Sequence, residues 1–101
     1  MADTNKLREY ELVYIIQPNL DEEQIRSLDG RLAQAVERAG GRITGTEIWG
    51  QRRLAYPIQK FLEGYYILHL LELPPEGVAQ VERSLRLSED VLRYLIVRTD
   101  E

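Results

Sequence analysis

A chain of 101 residues with a formal charge of −4 and no cysteine has room for one domain around one core. The absence of cysteine excludes disulfides, thiolate metal sites and a Cys nucleophile. Apolar residues make up 44% and charged residues 30%, ordinary for a globular domain. Met1 to Lys6 carries no apolar run, so no secretory signal is expected, and nothing approaches the roughly 20 apolar residues of a membrane span. The expected location is the cytoplasm, and a single domain over 1–101, frayed at 1–7 and 99–101, is the expected organisation.

The net charge argues against a free-standing, high-affinity nucleic-acid binder, which shows a broad basic footprint. The distribution is more informative. Residues 42–60 contain Arg42, Arg52, Arg53 and Lys60 against Glu47 alone, a local balance of +3 on a remainder of −7. Such an island suits docking onto RNA in one orientation and is poorly suited to coating RNA nonspecifically.

Arg8 to Gln17 is rich in β-branched and aromatic residues and is closed by Pro18-Asn19, which predicts a strand. Leu12, Tyr14 and Ile16 fall on one face, Val13 and Ile15 on the other, so the strand is central and both faces need cover. Asp21 with Gln24 forms a capping box. Ile25, Leu28, Leu32, Val36 and Ala39 recur at helical spacing until Gly40-Gly41. Glu22 and Glu23 in the first turn favour the helix dipole rather than forming a catalytic carboxylate pair.

A second strand starts near Arg42, interrupted by Gly45 and Gly50, which predict bulges or bends. Pro57 cannot donate a ladder hydrogen bond, so this strand belongs at a sheet edge, with Tyr56 held extended before it. Lys60 to Gly64 reads as a turn. Tyr65 to Glu72 is a third strand, apolar on both faces and hence central. Pro74-Pro75 leads into a short helix carrying Val78, Val81 and Leu85. Ser88 to Asp90 is a turn, and Val91 to Arg98 the last strand.

The order β-α-β-β-α-β with right-handed crossovers predicts an α+β, ferredoxin-like split-βαβ fold. Its four-stranded antiparallel sheet has the order 4-1-3-2, with both helices on one face. This places the doubly apolar strands in the centre and the Pro57 strand at an edge. Val13, Ile15, Tyr66, Leu68, Leu70, Leu95 and Val97 then share the uncovered face, an apolar patch of the kind that marks a binding surface.

Catalytic chemistry has little support. His69 is the only histidine and lies mid-strand among apolar residues, so a structural role is expected. Ser27, Ser84 and Ser88 carry no nucleophile signature, no metal-ligand spacing occurs, and no Gly-rich phosphate loop follows a strand. No enzyme activity, cofactor, metal or small-molecule substrate is expected. Arg52, Arg53, Lys60, Arg93 and Arg98 offer charges and guanidinium forks suited to phosphate.

The run Gly50-Gln51-Arg52-Arg53-Leu54-Ala55-Tyr56-Pro57-Ile58, followed by Lys60, resembles the signature of the family of bacterial ribosomal protein six of the small subunit. Arg8-Glu9-Tyr10-Glu11, Pro18-Asn19-Leu20 and Gly64-Tyr65-Tyr66 extend the resemblance from about Arg8 to Arg98. It implies a ferredoxin-like, ribosome-bound structural protein. It further implies pairing with the basic small-subunit ribosomal protein eighteen and joint binding of the central domain of the small-subunit ribosomal RNA. By the same resemblance Arg8, Tyr10, Lys60, Arg93 and Arg98 fall where the family meets RNA or partner; Arg52, Arg53 and Tyr56 lie in its signature. Glu9 and Leu92 stand where some members carry arginine.

Two other readings compete. Gly64-Tyr65-Tyr66-Ile67-Leu68-His69 weakly resembles the aromatic third strand of RRM domains, an alternative in which Tyr66 stacks on single-stranded RNA. The other is a ferredoxin-like homodimer, closed through its open face, that binds a small metabolite.

Overall fold

The computed structural model describes residues 6–100. Its elements are β1 (Arg8–Ile16), α1 (Glu22–Arg38), β2 (Arg42–Ile58), β3 (Phe61–Leu73), α2 (Val78–Leu87) and β4 (Val91–Arg98), with one 3-10 turn at Pro75–Gly77 ahead of α2. The strands form one antiparallel sheet in the order β2-β3-β1-β4. This is the ferredoxin-like order read from the sequence, taken from the other edge, with β1 and β3 central and Pro57 on an edge strand.

The ends of α1 form as their residues dictate. Asp21 accepts from the Gln24 backbone N–H at 2.8 Å while the Gln24 side chain accepts from the Asp21 N–H at 3.0 Å. At the other end Gly40 N–H donates to Glu37 O and Gly41 N–H to Val36 O, each at 3.0 Å, a Schellman closure. It needs the positive φ of 92° that Gly40 adopts without steric cost.

Strand alternation decides the core. Tyr10, Leu12, Tyr14 and Ile16 of β1 and Ile67, Leu71 and Leu73 of β3 point to the helix side. There they pack against Leu28, Leu32 and Val36 of α1 and Val81 and Leu85 of α2. Leu12, Tyr14, Ile16, Val36, Leu73 and Val81 are fully buried. Each such side chain contributes about 1.5–3 kcal/mol of transfer free energy.

Two boundaries differ from expectation. Lys60 to Gly64 is not a turn: the chain reverses through Gln59 and Lys60 alone, with φ of 49° and 75°, and Ile58 pairs with Phe61. A two-residue hairpin turn of this handedness matches the strand twist, but it is usually built from Asn and Gly, so Gln-Lys sends no turn signal. Thr99 and Asp100, expected to fray, extend the β1–β4 pairing. Thr99 N–H donates to Glu9 O at 2.8 Å, and Glu9 N–H donates to the Asp100 carboxylate at 3.1 Å. Residues 1–5 and 101 of the expected frayed ends lie outside the described residues.

The long β2–β3 hairpin gives the molecule extents of 47 × 26 × 21 Å. Its register shifts at Gly45, at Gly50 and between Arg53 and Ile58, the first two being the interruptions foreseen from glycine. These shifts curl the hairpin so that Leu54 lies over Ile15 and Leu92.

Candidate partner and nucleic-acid interface

Both helices lie on one face, so the other face of the sheet is open except where the hairpin covers it. Register assembles that face: Val13 is opposite Leu68 and Leu95, Glu11 opposite Leu70 and Val97, and Ile15 opposite Tyr66 and Arg93. Leu95, Val97 and Leu70 are 62%, 46% and 41% exposed, and Val13 and Leu68 are half-buried. Ile15, expected to be part of the open patch, is buried beneath Leu54 and Leu92. Tyr66 is half-buried beside them.

Charge divides the face in two. Glu9, Glu47 and Glu72 edge the exposed apolar strip and Glu11 lies within it, between Leu70 and Val97; Arg42 pairs with Glu72 at 2.9 Å, and Glu47 accepts from Trp49 Nε1 at 2.8 Å. The basic residues gather at the hairpin end. Arg52 lies over the Trp49 ring at 5.3 Å, and Trp49 stacks on Tyr66 with ring centres 5.9 Å apart and planes 18° apart. Arg93 donates to the Tyr56 hydroxyl at 3.0 Å and sits 5.6 Å from that ring's centre, tying β4 to the hairpin. Lys60 stands exposed at the hairpin tip. These cation–ring contacts hold the guanidiniums in place while leaving their charge available.

The expected contact residues do not form one cluster. Arg52 pairs with Gly64 and Arg53 with Glu63, and neighbours along a strand point to opposite faces. The pair that looks continuous in sequence is therefore split across the ribbon. Tyr10, expected at a contact surface, is 7% exposed and packs in the core beneath the helices, because it shares the parity of Leu12 and Tyr14. Arg8 is half-buried, and its Nε is buried with no hydrogen-bond partner among the described residues. Arg98 Nε donates to Asp100 at 2.7 Å, a contact that holds the Asp100 carboxyl below the usual range.

Beneath the sheet lies a polar network that sequence reading missed. His69 is 1% exposed. Its Nε2–H donates to Asp29 Oδ1 at 2.7 Å, and its Nδ1 meets the Thr46 hydroxyl at 2.9 Å. The Tyr14 hydroxyl donates to the same Asp29 oxygen, and the Tyr14 and His69 rings stack 6.1 Å apart. Burial and the bond to Asp29 push the Tyr14 phenol up. Burial alone would raise the Asp29 carboxyl, but bonds from His69 and Tyr14 together hold it below the ordinary value. Both nitrogens of His69 are thus engaged, and the residue is structural. Asp29 stands 40 residues before His69, and only the packing of α1 on β3 brings them together.

Among the described residues no group of three or more His, Cys, Asp or Glu side chains could hold a metal ion, and no helix is long and apolar enough to cross a membrane.

Fold and surface together define a ferredoxin-like α+β protein with one open, charge-divided sheet face. The chain belongs to the ribosomal protein S6 family, whose description matches residues 9–98. It is 44% identical over 95 residues to the small ribosomal subunit protein bS6 of Caldanaerobacter subterraneus subsp. tengcongensis, covering 94% of this chain and 100% of the relative. The bS6 of Carboxydothermus hydrogenoformans is 40% identical, with 94% and 99% covered. The crystal structure of 30S ribosomal protein S6 from Thermotoga maritima superposes with a TM-score of 0.88 at 32% identity, covering 93% of this chain and 89% of that one. The family is a structural, non-enzymatic component of the small ribosomal subunit, in line with the expected absence of catalytic chemistry.

Proposed function

We propose that this chain holds its place on the ribosome by binding the central domain of the small-subunit ribosomal RNA jointly with ribosomal protein eighteen. The observation that carries the reading is the division of the open face. Its apolar strip of Val13, Leu68, Leu70, Leu95 and Val97, with Glu11 set within it and Glu9 and Glu47 at its edges, suits a basic partner that covers apolar surface and neutralises carboxylates. The hairpin end, with Arg52, Arg93 and Lys60, suits phosphate oxygens; Tyr56 joins it beside Arg93, and Arg53 offers its charge on the opposite face of the ribbon. At the far end of β1, Arg8 adds a further guanidinium, whose buried Nε has no hydrogen-bond partner among the described residues. Arg98 stands on the neighbouring strand.

This arrangement explains how a chain of net charge −4 settles on RNA. The partner supplies counter-charge to the acidic half, and the pair then presents one continuous basic surface. The single-strand, RRM-like reading has a weaker footing, because the Tyr66 ring it needs is stacked against Trp49 and Tyr65 packs toward the helix layer.

The test is titration of central-domain RNA with the protein alone and with ribosomal protein eighteen. Tight binding only of the pair is expected. Replacing both Arg52 and Arg53 with Ala weakens joint binding by about tenfold or more, at roughly 1.4 kcal/mol per tenfold, while the circular dichroism spectrum and Tm stay unchanged. Equally tight, partner-independent binding of unrelated RNA overturns the proposal.

A further inference from the structure

We propose that the groove between α1 and α2, on the side of the molecule away from the sheet, is a second phosphate-binding surface that takes the backbone of another RNA segment. This rests on the reading of the chain as RNA-bound and adds a contact that the sheet face does not supply. The open groove holds about 390 Å³ and is lined by Arg31, Gln34, Ala35 and Arg38 from α1 and by Gln80, Arg83, Ser84 and Leu87 from α2. Its lining holds no carboxylate, and the acids Glu89 and Asp90 line an adjoining depression that shares Arg31.

The three arginines differ from the other helix arginines in a way the sequence makes plain. Arg26 has Glu22 and Glu23 four and three residues before it; Arg86 has Glu82 four before it and donates to the Tyr94 hydroxyl at 3.3 Å. Side chains three and four residues apart are helix neighbours. Arg31, Arg38 and Arg83 have no acid at any of those positions. Among the described residues none of the three makes an ion pair or side-chain hydrogen bond. An acidic chain thus lines one groove with three arginines that make no ion pair, a local excess of positive charge suited to an anion.

The geometry suits an extended polyanion rather than one ion. Arg31 and Arg38 are two helical turns apart, about 10.5 Å along the axis, and Arg83 faces them from α2. The Gln34 and Gln80 amides and the Ser84 hydroxyl add neutral donors for phosphate oxygens. Guanidiniums make bidentate bonds to phosphate, and the charge arrangement carries no base-reading element, so sequence-independent backbone contact is the expected mode.

Arginine-selective modification with phenylglyoxal, read residue by residue by mass spectrometry, tests this on the full chain alone, with ribosomal protein eighteen, and with both that partner and central-domain RNA. The expected result is protection of Arg31, Arg38 and Arg83 by fivefold or more when RNA is added, with no protection by the partner alone. In parallel, the triple variant Arg31→Gln, Arg38→Gln, Arg83→Gln lowers the slope of log affinity against log salt by about 2–3, at roughly 0.9 per lost phosphate contact. Its Tm and partner affinity stay at the parent values. A triple Lys variant restores most of the slope if the Gln variant is less stable.

Protection confined to Arg52 and Arg93, with an unchanged slope, overturns the groove proposal and leaves the sheet reading standing. Protection confined to the groove arginines does the reverse. Stronger protection by a glutamate decamer than by RNA also overturns it, because the groove then serves an acidic protein.

Discussion

Asp29→Ala tests whether the polar network under the sheet stabilises the fold. The substitution removes one oxygen that accepts from both His69 Nε2–H and the Tyr14 hydroxyl. His69 is 1% and Tyr14 0% exposed, so neither donor has ready access to water. A buried donor left without an acceptor costs about 1–3 kcal/mol, which puts two donors at about 2–6 kcal/mol. The Asp29 side chain is 30% exposed, so water entering from its side recovers part of this, and we expect a loss of about 3 kcal/mol. For a domain of this size that corresponds to a fall in Tm of about 12–24 °C. Urea denaturation of parent and variant measures the difference directly, with Asp29→Asn as a milder comparison that retains one acceptor.

The pH dependence has a definite sign. The folded carboxyl is held below its ordinary value, so its contribution is present above the unfolded carboxylate range. That contribution is lost as pH falls through the folded value. The gap between parent and Asp29→Ala is therefore constant near neutrality and narrows below about pH 4. A loss under 0.5 kcal/mol at pH 7, or a gap that widens in acid, refutes the reasoning.

Two further expectations concern the frame that carries the interface. A methyl group added at Gly64 would lie 2.3 Å from Ile15 Cγ2, so Gly64→Ala lifts the hairpin from β1 and costs about 1–3 kcal/mol by overpacking; a Tm within 2 °C of the parent would contradict this. Asp21→Ala removes the acceptor at the α1 N-terminus and costs about 1 kcal/mol, measured by thermal denaturation, with faster amide hydrogen exchange confined to the first turn of α1.

The sequence by itself determined the element order, the α1 capping box, the central β1 and β3 and the edge position of β2. Each of these depends on short-range chemistry: alternation of apolar residues, a side chain three positions from its cap, a ring that removes an N–H. It also placed Val13, Leu68, Leu70, Leu95 and Val97 on one face, because strand parity and two right-handed crossovers leave little choice. Tertiary structure decided the rest, wherever the answer depended on contacts between distant residues or on backbone shifts without a compositional marker. Gln59-Lys60 makes the hairpin turn although neither residue favours a positive φ, and the register shifts beyond Arg53 fold Leu54 over Ile15 and close one end of a face expected to be open. Alternation splits Arg52 from Arg53 and sends Tyr10 into the core. Asp29 meets His69 only because α1 lies across β3, and a helix-on-sheet contact leaves no mark on the local pattern of either segment.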